Sequence, residues 1–187
     1  MCLAIAALAG KLVPEDHLRS GWRGNKDGAG FAFVSDGKVE ISKGYSTVDA
    51  LLVAYKKAFD ENSDSPFLIH FRTATHGKTN AENTHPFTGK YGALIHNGIF
   101  YGLGNSTASD TAEFAEFIQD VPEEKIPKLL EAFEGVDNSW SKLAILGHSG
   151  TFYFMREKSG MWENGIWYSN YGYRSGNTDR GGAYCGN

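Results

Sequence analysis

Apolar runs separated by turn residues predict buried strands along most of the chain. The first run covers residues 3–8, and Gly10 ends it before the polar stretch 11–23. A second run, 28–34, leads through Ser35-Asp36-Gly37-Lys38 into a short run at 39–41, which is typical of a β-hairpin. Five later runs predict further strands: 67–71, 91–96, 142–146, 151–155 and 165–169.

The middle of the chain changes to helical spacing. Ser46 or Thr47 is placed to cap a first helix, Ser109 to cap a second, and Pro122 to open a third. The apolar positions of these helices are Leu51, Leu52, Tyr55 and Phe59; Phe114, Phe117 and Ile118; and Ile126, Leu129, Leu130 and Phe133. Strands, then helices, then strands again predict an α+β layered fold instead of alternating βαβ units.

The organisation is that of one domain. The 187 residues show no internal repeat and no second domain. From Asn170 onward the chain is rich in Gly, Tyr, Asn and Ser without any period. We therefore expect one domain over 1–169 and, as part of the same domain, an irregular or weakly ordered tail over 170–187.

Charge and composition narrow the range of partners. The net charge is -4 and the sequence pI is about 5.8, so no basic field is present to attract nucleic acid or an anionic membrane. No apolar stretch is long enough to span a bilayer. Neither nucleic acid nor a membrane is therefore expected as a partner. Gly102-Leu103-Gly104 lacks a third glycine at the offset of a phosphate-binding loop, which gives no support for nucleotide binding.

The number and positions of the cysteines indicate the redox state of the cellular compartment. Cys2 and Cys185 lie at opposite ends of the chain, which argues against a disulfide scaffold and against a zinc site. No metal or other cofactor is expected. The apolar start ending in Ala7-Leu8-Ala9 has part of the pattern of a secretory signal, but no positive residue precedes it. A reducing, cytoplasmic location is therefore the expectation.

Cys2 is the most informative candidate for chemistry. Removal of Met1 makes Cys2 the first residue and places a thiol beside a free α-amine. Such an amine has a pKa of about 7.7 to 8.0, so it is able to accept the thiol proton near neutral pH. One residue then supplies both nucleophile and base. Taken alone, a cysteine at this position is more often a small buried core residue.

Several short motifs follow Cys2 in a distinctive order. They are Trp22-Arg23-Gly24 with Asp27-Gly28-Ala29-Gly30-Phe31, His70-Phe71-Arg72-Thr73-Ala74-Thr75-His76-Gly77, Asn83-Thr84-His85-Pro86, His96-Asn97-Gly98-Ile99 and Ser109-Asp110-Thr111. Together with Cys2, these blocks resemble class II glutamine amidotransferases, the N-terminal nucleophile amidotransferase domains, in order and approximate spacing. The resemblance runs from Cys2 to about Ser169, so 1–169 is identified as an amidotransferase domain.

The resemblance implies roles in substrate binding. Arg72 would bind the α-carboxylate of glutamine through its planar guanidinium, and Thr75 and His76 would add polar contacts to that carboxylate. Asp110 would accept the α-ammonium group. From the sequence alone, Arg72 is also readable as a surface ion-pair residue, and Asp110 as a first-turn acid of the helix that Ser109 caps.

The same resemblance implies the catalytic groups. The side-chain amide of Asn97 and the backbone N–H of Gly98 would form the oxyanion hole. Asn-Gly after an apolar run is also the usual signature of a two-residue hairpin turn, and this alternative stays open. Arg23 would help to position the terminal residue, and His85 would have a supporting role.

Two features depart from the family pattern. Thr73 stands where the glucosamine-6-phosphate synthase group has an aromatic residue, and Asn25 with Lys26 makes the block after Arg23 one residue longer. No synthase or synthetase domain follows in this sequence. A partner protein is therefore the expected site of any acceptor for ammonia.

The resemblance implies a fold and a reaction. The fold is the four-layer αββα sandwich of N-terminal nucleophile hydrolases. The reaction is hydrolysis of the glutamine side-chain amide through a Cys2 thioester, giving glutamate and ammonia. Two alternatives remain: hydrolysis of another amide, such as a γ-glutamyl conjugate, and a non-catalytic binding domain, which is favoured if Met1 is retained.

Overall fold

The computed structural model describes residues 1–75, 77–136 and 140–174. The helices are α1 (Glu15–Gly24), α2 (Val48–Glu61), α3 (Asp110–Ile118) and α4 (Ile126–Val136). The strands are β1 (Leu3–Ala7), β2 (Ala29–Ser35), β3 (Lys38–Tyr45), β4 (Phe67–Phe71), β5 (Phe87–Gly89), β6 (Gly92–Asn97), β7 (Lys142–Leu146), β8 (Phe152–Met155), β9 (Met161–Glu163) and β10 (Ile166–Tyr168).

The strands form two antiparallel sheets. The larger sheet has the order β3-β2-β4-β1-β10-β9, and the smaller has the order β5-β6-β7-β8. In the larger sheet β1 lies between β4 and β10, with Ala4 opposite His70 and Ile5 opposite Tyr168. The strand that follows Cys2 is therefore an interior strand, paired on both sides.

Alternating side chains of β1 enter two different cores. Leu3 and Ile5 pack with residues of α1 and α2, including Leu18 and Leu51. The other face of the larger sheet packs against the smaller sheet, in a cluster that includes Ala4, Ala6, Leu68, Ile95 and Ala144. A third cluster joins the smaller sheet to α3 and α4. The predicted α+β class is confirmed, and the arrangement is compatible with an αββα sandwich.

Most predicted elements are present near their predicted positions. Asp36 and Gly37 turn the β2–β3 hairpin with φ of 50° and 71°. Thr47, and not Ser46, caps α2 by accepting a hydrogen bond from the N–H of Ala50. Ser109 caps α3 by accepting from the N–H of Ala112. Each of these signals lies within a few residues of the element that it specifies, so the sequence alone predicts the element.

Helix α1 corrects the interpretation of 11–23 as a polar stretch between elements. The helix packs on the larger sheet through small residues, and a Cβ at Gly21 would lie 2.8 Å from side-chain atoms of Leu3 and of Phe71. The buried residues of α1 are Leu18, Ser20 and Gly21, so its buried face carries one large apolar side chain among small residues. Strand β5, inside the turn-rich segment 72–90, and strand β9 were also missed.

Two further expectations concern the exposure of Phe117 and the irregular tail 170–187. The sequence groups Phe117 with Phe114 and Ile118 on one apolar face of α3, but Phe117 is 79% exposed. At the start of the predicted irregular tail, Tyr173 is buried and stacks on Tyr168 with ring centroids 3.7 Å apart. The rest of that tail, 175–187 with Cys185, lies outside the described residues. Within the described ranges, no helix has the length and apolar character to cross a membrane.

Candidate active site

Cys2 lies beside a cavity of about 260 Å³ at the start of β1. The lining includes Thr73 and Thr75 from the segment after β4, Asn97 and Gly98 from the end of β6, and the exposed rings of Tyr101 and Trp140. The structure thus brings together four of the residues predicted from sequence: Cys2, Thr75, Asn97 and Gly98.

The Cys2 sulfur is held by the backbone of Thr73. The Thr73 N–H donates to Sγ at 3.3 Å, and the thiol donates to the Thr73 carbonyl oxygen at 3.5 Å. Burial raises the pKa of the Cys2 thiol, while the Thr73 N–H and the positive charges of the amino terminus and Arg72 act in the opposite direction. Because the net shift is upward, the thiol needs a base to become a nucleophile near neutral pH.

Asn97 ends an interior strand and does not turn a hairpin. It pairs with Lys142 of β7, and β6 is separated from β7 along the chain by α3 and α4. The hairpin-turn alternative is therefore wrong. The Asn97 side chain is 4% exposed, and its Nδ2 donates to Ser169 Oγ at 2.9 Å. At Gly98 a Cβ would lie 2.5 Å from the Cα of Ser141, so only glycine fits beside that backbone.

Arg72 and Asp110 are both buried, and the charge of each acts on the Cys2 thiol. The Arg72 Nη1 donates to the Lys78 carbonyl oxygen at 3.1 Å. Burial lowers the pKa of Arg72, and the charges of Cys2, Asp27 and Asp110 oppose that shift. The surface ion-pair alternative for Arg72 does not fit a buried side chain. Neither Arg72 nor Asp110 is among the residues that line the cavity.

Asp110 has a structural job in addition to any contact with substrate. It is the first residue of α3, as the first-turn alternative expected, and its Oδ2 accepts a hydrogen bond from the Phe100 N–H at 2.7 Å. This bond joins the start of α3 to the segment that follows Asn97. The segment carries Tyr101, so Asp110 helps to shape the cavity wall.

The remaining predicted residues are placed less directly. Arg23 is exposed near the end of α1, donates from Nη2 to Ser20 Oγ at 2.9 Å, and is not among the lining residues. Thr75 is exposed at the cavity. His76 lies outside the described residues.

His85 belongs to a buried histidine cluster. Its Nδ1 accepts from the His96 N–H at 3.3 Å, and its ring centroid lies 3.9 Å from that of His70. His70 Nε2 donates to the His96 carbonyl oxygen at 2.9 Å. Burial lowers the pKa of His85 well below its usual value and that of His70 to about 3, so both rings are neutral. Among the described residues, no group of three or more His, Cys, Asp or Glu side chains is arranged to hold a metal ion.

Ser169 and Asn170 were not identified from the sequence as part of the site. Ser169 Oγ accepts from the Ala4 N–H at 3.0 Å and from Asn97 Nδ2 at 2.9 Å. Asn170 Nδ2 donates to the Cys2 carbonyl oxygen at 2.8 Å. No local sequence signal marks them, because it is the pairing of β1 with β10 that brings the far end of the described chain next to Cys2.

Comparison with known proteins identifies relatives of one kind. The chain is 32% identical over 120 residues to the glutamine–fructose-6-phosphate aminotransferase (isomerizing) of Campylobacter jejuni, covering 62% of this chain and 20% of that protein. The enzyme of the same name from Caulobacter vibrioides is 32% identical over 136 residues, covering 70% and 22%. That from Pyrococcus horikoshii is 33% identical over 125 residues, covering 66% and 20%. The chain thus spans about a fifth of the length of these relatives. No protein-family model matches it.

Proposed function

The chain is related in sequence to the class II glutamine amidotransferases, and from that premise we propose that it hydrolyses the side-chain amide of glutamine. The observation that carries this proposal is the cavity in which Cys2 meets Asn97 and Gly98. A partly buried thiol that lines the same cavity as an amide side chain and a glycine backbone brings together the groups that acyl transfer from an amide uses. The products are glutamate and ammonia.

The nucleophile depends on the chain terminus. Met1 precedes Cys2, so its removal is needed to free the Cys2 α-amine. The amine takes the thiol proton, and Sγ attacks the amide carbon of glutamine. The same amine then gives a proton to the leaving nitrogen, the C–N bond breaks, and ammonia departs from a γ-glutamyl thioester. Water, with the amine again as base, cleaves the thioester to glutamate and the free thiol.

Asn97 and Gly98 supply the oxyanion hole in this proposal. An amide nitrogen carries two hydrogens, and Asn97 directs one of them to Ser169. The second is available to the oxygen that gains charge as Sγ attacks, together with the Gly98 N–H. Because Asn97 is buried and hydrogen-bonded before substrate arrives, little reorganisation is needed during the reaction.

The charged ends of glutamine require partners of opposite sign. We assign Arg72 to the α-carboxylate, with Thr75 and His76 as additional polar contacts, and Asp110 to the α-ammonium. Arg23 helps to position the terminal residue, and the neutral ring of His85 supports the backbone of β6 through the His96 N–H. The charges of Arg72 and Asp110 both act on the Cys2 thiol, so a ligand bound at Cys2 that carries a carboxylate and an ammonium group would meet a charge of opposite sign for each.

The fold and partner follow from the same premise. We propose the N-terminal nucleophile hydrolase fold, with 1–169 as the amidotransferase domain and 170–187 as its tail. The relatives are named as aminotransferases that use glutamine and fructose 6-phosphate, and this chain spans about a fifth of their length. An acceptor for the ammonia is therefore proposed on a synthase or synthetase partner.

The test uses protein whose processing is known. Intact mass spectrometry establishes removal of Met1, and ammonia and glutamate release from glutamine are then followed at steady state. Hydroxylamine intercepts a thioester as the hydroxamate, so γ-glutamyl hydroxamate is expected from the parent and not from Cys2→Ala. A processed protein that releases neither product at any glutamine concentration would overturn the proposal.

A further inference from the structure

The two departures from the family pattern contact each other. Thr73 Oγ1 donates a hydrogen bond to Asn25 Oδ1 at 2.7 Å. Asn25 is 4% exposed, although it belongs to the lengthened block after Arg23. Thr73 is the residue whose backbone brackets the Cys2 sulfur. The substitution and the added residue thus form one continuous chain of contacts that ends at the thiol.

Asn25 is itself fixed to the end of α1. Its backbone N–H donates to the Trp22 carbonyl oxygen at 3.1 Å, and its Nδ2 donates to the Gly21 carbonyl oxygen at 2.9 Å. Gly21 packs directly on side chains of β1 and β4. Because Asn25 Nδ2 donates to the end of α1, the orientation of the Asn25 side chain is fixed. Its Oδ1 therefore points in one direction, and the Thr73 hydroxyl donates to it there.

The backbone around Thr73 is aligned by the same segment. The Ala74 N–H donates to Asp27 Oδ2 at 2.8 Å, and the Arg72 N–H donates to the Gly28 carbonyl oxygen at 2.8 Å. The N–H groups of both neighbours of Thr73 are therefore hydrogen-bonded, and the Thr73 hydroxyl is held by Asn25. Its N–H is left pointing at Cys2 Sγ.

We propose that Asn25 is a positioning residue for the nucleophile: by accepting the Thr73 hydroxyl, it keeps the Thr73 N–H directed at the Cys2 sulfur. The inference rests on the proposed function only in taking Cys2 as the nucleophile. Asn25 is not among the cavity's lining residues and acts through Thr73 alone.

The physical effect is on the charged form of the sulfur. An N–H donor stabilises a thiolate more than a thiol, so a well-directed donor favours ionisation. The other charged groups that act on Cys2 are the amino terminus, Arg72 and Asp110. None of these is removed by changing Asn25 or Thr73, so their contribution stays constant in the comparison below.

The experiment measures ionisation of Cys2 directly. Alkylation by iodoacetamide is followed against pH in processed protein carrying Cys185→Ser, which leaves Cys2 as the single thiol. Thr73→Val removes the hydroxyl and keeps the shape, Asn25→Ala removes the acceptor, and Thr73→Ser restores a hydroxyl. Asn62→Ala is the matched control, because Asn62 caps α2 through Nδ2 to the Ala58 carbonyl oxygen and N–H to the Phe59 carbonyl oxygen, as Asn25 caps α1.

We expect Thr73→Val and Asn25→Ala each to raise the apparent pKa of Cys2 by about one unit, a tenfold loss of thiolate at a given pH. The double variant should shift no further, since both changes break one contact. Thr73→Ser and Asn62→Ala should titrate like the parent. An unchanged titration in Thr73→Val overturns the inference, and so does a double variant in which the two shifts add.

Two precautions keep the test decisive. If Asn25→Ala fails to fold, Thr73→Val still tests the contact, because it leaves the cap of α1 intact. Alkylation needs no glutamine, so a shifted titration in a protein without glutaminase activity contradicts the proposed function and supports the positioning role. In active protein, Asn25→Ala should lower kcat and leave KM unchanged, since Asn25 does not line the cavity.

Discussion

Asn97→Ala separates a catalytic amide from a structural one. The substitution removes the hydrogen bond from Asn97 Nδ2 to Ser169 Oγ and leaves the Ala4 N–H still donating to Ser169. Ser169 Oγ therefore keeps a hydrogen-bond partner. One neutral hydrogen bond contributes about 0.5–1.5 kcal/mol, so the free energy of unfolding should fall by about 1 kcal/mol. For a domain of this size that corresponds to a fall in Tm of about 2–4 °C.

The kinetic effect should be much larger than the stability effect. An oxyanion-hole donor acts on charge that develops only as Sγ attacks, and losing one lowers kcat by roughly a hundred- to a thousandfold. KM should stay nearly unchanged, because the same amide makes little contact with the uncharged carbonyl of bound glutamine. Ammonia release at saturating glutamine and a melting curve on the same preparation measure both quantities.

Ser169→Ala is the matched control for this reasoning. It removes the same hydrogen bond from the opposite end and also leaves the Ala4 N–H without its acceptor, so stability should fall at least as far as in Asn97→Ala. The Asn97 amide remains, however, and kcat should fall by about tenfold or less. If kcat fell equally in both variants, or stayed within tenfold of the parent in Asn97→Ala, the oxyanion assignment would be refuted.

Three other predictions use the same preparations. Cys2→Ala and an uncleavable N-terminal tag should each reduce glutaminase turnover to background, and a tagged protein with full activity would exclude the α-amine as base. Arg72→Lys should raise KM roughly ten- to a hundredfold, equal to the 1.5–3 kcal/mol of a charge-assisted hydrogen bond, and a collapsed Tm with unchanged KM would make Arg72 structural. Since burial holds the pKa of His70 at about 3 and lowers that of His85, the unfolded chain alone takes up these protons below about pH 6.5. Stability measured by urea unfolding should therefore fall by about 1.4 kcal/mol per pH unit per histidine on acidification, and a flat profile between pH 7 and 5 would contradict neutral buried rings.

The strands and caps were predictable because their signals are local. The β2–β3 hairpin is specified by Asp36 and Gly37, and α3 by Ser109, each within four residues of the element it sets. The pairing of β1 with β10 has no such signal, because its partners, such as Ile5 and Tyr168, lie near opposite ends of the described chain. Helix α1 was missed for a related reason, because Gly21 packs by being small.

The candidate site likewise contains residues that the sequence predicts and residues that it does not. The motifs predict Cys2, Asn97 and Gly98 as one catalytic set, and all three line the same cavity. The groups that hold them were not predicted, because their contacts cross long stretches of chain. Asn97 meets Ser169 over a separation of 72 residues, and Thr73 meets Asn25 over 48. The sequence marks Ser169 only as the end of the predicted strand 165–169 and Asn25 only as part of the lengthened block after Arg23, and neither mark predicts the contact.

The position of β1 has a consequence for the order of folding. Its partner β4 is 60 or more residues away, and the Ala4 N–H finds Ser169 across 165 residues. Contacts of such long range form late, because the entropy of closing a long loop must be overcome before they give any stabilisation. During synthesis Cys2 and Asn97 precede their partners, because the side-chain amide that donates to the Cys2 carbonyl oxygen and the hydroxyl that accepts from Asn97 arrive only with Asn170 and Ser169. An incomplete chain therefore carries Cys2 and Asn97 without the contacts that hold them in place, and hydrolytic competence is expected to arise with the final closure of the sheet.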